Sequence, residues 1–135
     1  MRNFLTTAMI LAATVVGVHA QTAPVIKRTP LATDAMSPSK NVTRVEVVRL
    51  DFLPGMVTPL HLHPVPVITY VEKGRFLFQI EGQPAHHYKA GDAVYEPANA
   101  RILHYDNESK TEPAVLIASY LAGADDHALI TLLSK

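Results

Sequence analysis

The 135-residue chain contains no cysteine. Disulfides, thiolate metal sites and cysteine nucleophiles are therefore excluded. Tryptophan is also absent, and neither charge is in excess, with 12 basic and 12 acidic residues. There is no basic run and no array of aromatics on which bases could stack, so nucleic acid is not an expected partner. Charged residues make up only 18% of the chain and hydrophobic ones 48%, which fits a globular chain and excludes a disordered one. The length suits one domain. No internal repeat or low-complexity tract interrupts it.

The first residues read as a targeting segment. Met1-Arg2-Asn3 gives a positive start, Phe4 to Val18 is apolar apart from threonines, and Val18-His19-Ala20 offers small residues at a cleavage site. This is the pattern of a secretory signal over residues 1–20, cut after Ala20. A buried N-terminal helix or an uncleaved anchor is the alternative, but the run is short against the roughly 20 residues a span needs. The mature protein is expected to be secreted or periplasmic, with no stable membrane anchor. Residues 21–41 hold Pro24, Pro30 and Pro38 among small polar residues and are expected to form a flexible lead-in.

From residue 42 to residue 135 the pattern is that of strands. Val45, Val47 and Arg49 alternate with Val48, Leu50 and Phe52, and the run ends at Pro54-Gly55. Extended pieces follow over 57–63, 67–71, 76–80, 93–96, 101–105 and 114–121, separated by turns such as Gly82-Gln83-Pro84 and Ala90-Gly91-Asp92. The apolar tail over 128–133 suits a strand or a helical turn. Pro59, Pro64 and Pro66 remove backbone donors, which places their stretch at a sheet edge or a barrel mouth. Many short strands with frequent turns predict an all-β sandwich or barrel.

The chemistry centres on His61-Leu62-His63. Side chains alternate along a strand, so the two imidazoles share a face and can chelate one ion. The alternative is an ordinary polar pair at a rim. Glu96 is expected to be a solvated charge at a strand end, although a carboxylate there could complete a ligand set. His86, His87 and His127 are expected at the surface, Phe76, Phe78 and Ile80 in the core, and Arg101 either on the rim or facing inward. Tyr70 and Gln79 are candidate polar groups of the inner wall.

Gly55, His61, His63 and Gly74, followed by Gly91 and Pro97, resemble the two motifs of the cupin superfamily, over motif regions 55–74 and 91–107. The chain departs from that pattern at three places. Val67 stands where the first motif has glutamate, Asn99 where the second has glycine, and Ile102 where the second has histidine. His104 comes two residues after that last position, and a shift of two along a strand keeps the same face. The resemblance implies a single-domain cupin jelly-roll β-barrel. It also implies one divalent transition metal (Fe, Mn, Ni, Cu or Zn) held by His61, His63 and His104. A small-molecule ligand or substrate and a homodimer made by edge-strand pairing are the expected partners. Two functions stay open. One is a metal-dependent enzyme with dioxygenase- or isomerase-like chemistry; the other is a non-catalytic periplasmic protein binding a metal or a small ligand at a degenerate site.

Overall fold

The computed structural model describes residues 26–134. The expected signal segment lies outside the described residues. Among the described residues nine strands form, all paired antiparallel: β1 (Arg44–Phe52), β2 (His61–Leu62), β3 (Val67–Lys73), β4 (Arg75–Ile80), β5 (His86–Lys89), β6 (Ala93–Glu96), β7 (Ile102–Asn107), β8 (Ala114–Ala122) and β9 (Thr131–Leu132). No helix forms among the described residues. One sheet runs β1-β8-β3-β6 and the other β5-β4-β7-β2-β9. The sheets face each other without closing into one ring of strands. The expected barrel is thus a two-sheet sandwich, an arrangement consistent with a jelly roll.

Alternation builds the core. In β3, Val67, Thr69 and Val71 are buried while Ile68 and Tyr70 are exposed. The main cluster joins Phe52, Val71, Val94 and Leu116 of the first sheet to Phe76, Phe78, Ile102 and Tyr105 of the second. Full burial of a side chain such as Leu116 or Phe76 contributes roughly 1.5–3 kcal/mol. A second cluster around Val65, Val67, Ala118 and Tyr120 continues the core toward the two histidines. The prolines sit as their missing donors require, with Pro64 and Pro66 between β2 and β3. The tail resolves into β9, which adds to β2 through His61 opposite Leu132.

Two backbone positions explain the motif residues. Gly74 joins β3 to β4 at φ 88°, and a Cβ there would lie 2.9 Å from the Ala114 Cα. Only glycine fits both demands. Asn99 takes φ 62°, so it does a glycine's work at a position where asparagine is among the tolerated residues.

A β-bulge changes the reading of β7. Gln79 faces His104, yet the next pair is Ile80 with Ile102, which leaves Leu103 as the extra residue. Side chains on the two sides of a bulge lose their common parity. Ile102 and Tyr105 are both buried, three residues apart. His104 and its partner Gln79 consequently face outward, and Gln79 donates to the Gln83 carbonyl at 3.0 Å. Tyr70 also lies on an outer face, being exposed on β3. Neither Gln79 nor Tyr70 is a group of the inner wall.

Candidate metal centre

The two histidines lie in and just after β2, which runs between β7 and β9, and are held from three directions. His61 pairs with Ile102 on β7 and with Leu132 on β9. The His63 carbonyl accepts from the Asn99 amide at 2.7 Å. Both side chains are buried, at 3% and 4% exposure, and their rings stand 5.1 Å apart at 75°. The Tyr105 ring meets His61 edge-on at 5.8 Å, and the Tyr120 ring meets His63 at 5.3 Å. These are not rim residues.

Each imidazole has its tautomer set by a backbone carbonyl. His61 Nδ1 lies 2.8 Å from the Pro59 oxygen, and His63 Nδ1 lies 2.6 Å from the Leu129 oxygen. A carbonyl can only accept, so each Nδ1 carries the proton and each Nε2 keeps a free lone pair. Metal-binding histidines are oriented in this way. Burial pushes the His63 imidazole below its ordinary pKa, which further favours the neutral, ligating form.

Glu96 completes the cluster. It stands at the end of β6, directly opposite Val67 on β3, so its side chain shares the inward face of Val67. It is fully buried, contrary to its expected place as a solvated strand-end charge. One carboxylate oxygen, Oε1, accepts from the Thr69 hydroxyl at 2.9 Å. The Thr69 oxygen lies 3.0 Å from the Tyr105 hydroxyl. With the Thr69 proton directed to Glu96, Tyr105 donates to Thr69, and a relay runs from tyrosine to threonine to carboxylate. The other oxygen, Oε2, has no hydrogen-bond partner and points to His63 Nε2 at 3.5 Å. Burial pushes the Glu96 carboxyl up to about 7, an effect the Thr69 and Tyr105 hydroxyls partly offset. Burial likewise raises the Tyr105 phenol well above its ordinary range and the Tyr120 phenol to about 12, so both stay protonated donors.

Ligand atoms of His61, His63 and Glu96 all lie within 4.8 Å of one another. Two imidazole lone pairs and an orphaned buried carboxylate oxygen thus converge on one point. In a buried site such acceptors are costly without a cation or a shared proton. The donor set fits a divalent transition ion and leaves coordination positions open.

His104 is not part of this cluster. Its Nδ1 lies 2.7 Å from the Asp106 carboxylate and its ring is partly exposed on the outer face, as the bulge dictates. Arg101 is on the surface, paired with Glu81 at 2.9 Å. His86, His87 and His127 are exposed as expected. Glu96 was the residue that sequence reasoning undervalued. The signal that could have found it is its place before Pro97 in the second motif, where β6 runs back alongside β3.

A cavity of about 170 Å³ adjoins the two histidines. Its walls include Leu50, Phe52, Tyr105 and Tyr120, and the C-terminal residues Ile130 and Leu132 close one side.

Comparison with known proteins agrees with this architecture. Residues 48–120, more than half of the chain, match the family described as Cupin domain. No curated protein matches the sequence. Among solved structures, a cupin-like protein from Thermotoga maritima is 28% identical with a TM-score of 0.57, over 73% of this chain and 71% of that one. An oxalate oxidase in complex with the substrate analogue glycolate is 27% identical with a TM-score of 0.57, over 66% of this chain and 46% of that one. The DMSP lyase DddQ from Ruegeria pomeroyi shares the fold, with 22% identity and a TM-score of 0.56 over 65% of this chain and 42% of that one. The chain spans less than half the length of the oxidase and the lyase.

Proposed function

The chain belongs to the cupin domain family, and from that premise we propose that it binds one divalent transition metal through His61, His63 and Glu96 and acts there on a small molecule. The observation that carries this reading is Glu96 Oε2, buried, without a partner, and 3.5 Å from the free Nε2 of His63. Two histidines and one carboxylate on one side of an ion are the donor set of non-haem Fe(II) oxygenases, and zinc uses a similar set. When bound, such an ion polarises an oxygen of the substrate and offers positions for a second ligand. The chain's own residues orient the ligands and keep the site dry. Pro59 and Leu129 carbonyls fix the imidazoles, Thr69 holds Glu96, and Tyr105 holds Thr69.

Dioxygenase- or isomerase-like chemistry is the activity proposed, supported by the open cavity beside the ligand atoms. The second reading, a non-catalytic binder, is supported by the apolar character of most of its walls. Elemental analysis of the purified protein tests the common premise. About one equivalent of a transition metal, lost in His61→Ala and in Glu96→Ala, is expected. A protein without stoichiometric metal after reconstitution with Fe, Mn, Ni, Cu and Zn would overturn it.

Secretion or periplasmic targeting by residues 1–20 is likewise proposed, on the apolar run and Ala20 alone. N-terminal sequencing of the product exported by a bacterial host should begin at Gln21. A homodimer is proposed from Val45 and Val47, exposed on the edge strand β1. Light scattering of the mature protein should give twice the chain mass.

A further inference from the structure

The cavity beside His61 and His63 restricts what could be bound there. Its selectivity depends on the neighbouring cluster holding a divalent metal, as proposed above. At about 170 Å³ it is comparable with apolar cavities of about 150 Å³ that take a benzene-sized body. It is much smaller than the roughly 300–1,000 Å³ of pockets for drug-sized ligands. Its walls carry aliphatic and aromatic groups, and its polar side chains, among the described residues, are the two imidazoles, Thr58 and the two tyrosines. Among the described residues, no lysine, arginine, aspartate or glutamate lines it. The nearby basic side chain Arg49 is exposed and paired with Asp51 and Glu72, and Arg101 is paired with Glu81.

Charge then selects the ligand. A divalent ion facing the single Glu96 carboxylate leaves one positive charge uncompensated. Buried charge without a counter-charge is costly, so one anionic oxygen on the ion balances the site. A dianion would leave a negative charge among apolar walls with no cationic side chain to meet it. Neutral polyols would strand hydroxyl groups that the walls cannot satisfy. Ile130 and Leu132, 51% and 64% exposed, form the wall nearest to solvent and set the length of the ligand's body.

We infer that this cavity takes a monoanionic oxygen donor carrying a hydrocarbon body no larger than one ring, as in a phenolate, an enolate or a short branched monocarboxylate. A phenol or enol releases its proton to solvent on binding, and a carboxylate arrives already ionised.

The test uses the full mature chain loaded with Co(II), whose visible bands respond to an oxygen ligand. Uptake of one equivalent is measured first. Phenol, isobutyrate, oxalate and 2-naphthol are then titrated by spectroscopy and calorimetry. Phenol and isobutyrate should shift the bands and bind at least about tenfold more tightly than oxalate, and 2-naphthol should not enter. Ile130→Trp, at a half-exposed position that tolerates bulk, should retain the cobalt and lose the phenol response. Oxalate binding as tightly as phenol overturns the inference, as does unchanged phenol binding in Ile130→Trp. Cobalt uptake with no response to phenol or isobutyrate overturns the ligand class alone. Failure to take up cobalt removes the metal reading and this inference with it.

Discussion

Val67 and Glu96 stand directly opposite each other on β3 and β6, so a carboxylate faces the position where the first motif would place one. Opposed residues of an antiparallel pair place their Cβ atoms roughly 4.5–5.5 Å apart on one face. A carboxylate can therefore change strands and still reach the same pair of imidazoles. The expected result is a compensating exchange. Glu96→Val alone should abolish stoichiometric metal binding. Val67→Glu combined with Glu96→Val should restore a measurable part of it, read by metal titration. A double variant as metal-free as the single one would show that the two positions are not equivalent.

Thr69 should affect the metal without touching it. Its hydroxyl donates to Glu96 Oε1 and accepts from Tyr105 within a fully buried relay. Thr69→Val keeps the volume but removes the donor that orients the carboxylate. Loss of such an outer partner typically weakens metal binding about 10- to 100-fold. Competition with a chelator measures the change. A variant with wild-type affinity would place Glu96 outside the ligand set or make its orientation independent of Thr69.

Metal-free protein should carry the signature of Glu96 in its stability against pH. The carboxyl ionises near 4.5 when unfolded and is pushed up to about 7 by burial in the fold. Between those values the folded state holds a proton that the unfolded chain has released. The contribution is complete below about pH 4.5, falls as pH rises, and is lost above about pH 7, a span on the order of 3 kcal/mol. His63 acts in the opposite sense. Its lowered pKa means that the unfolded chain takes up a proton first as pH falls below its ordinary 6.5. The difference between wild type and Glu96→Gln isolates the carboxyl. Denaturant titrations across this window should show the decline in the first and not in the second, and equal slopes would mean that Glu96 ionises normally.

The strands and the inward histidine pair were legible because they depend on local alternation. Val48, Leu50 and Phe52 on one face of β1, the core stripe at Phe76 and Phe78, and His61 with His63 all follow from period two within a single strand. The closed barrel did not follow, because sheet closure depends on which edges pair, and β9 caps β2 with only two residues. Glu96 was hidden because its partner Val67 lies 29 positions earlier in the chain. Register between strands is a long-range property that no local pattern encodes. His104 was misplaced for a different reason. The parity rule that brought it inward holds only in a regular strand, and Leu103 breaks it.

That bulge yields the sharpest contrast between the two candidate third ligands. His104 faces outward with Nδ1 on Asp106, and Asp106 is itself held by the Thr58 amide at 3.0 Å. The imidazole lies on the far side of the sheet from the Tyr105 ring, which packs against His61. His104→Ala should therefore leave metal stoichiometry unchanged and shift affinity by less than about threefold, a difference below roughly 0.7 kcal/mol. Its cost should be confined to the loss of one partly exposed hydrogen bond to Asp106, on the order of 0.5–1.5 kcal/mol. His61→Ala should remove the metal altogether. Metal titration of the two variants side by side decides between the ligand sets. Equal loss in both would require β7 to lose its bulge when the ion binds, bringing His104 back to the inner face.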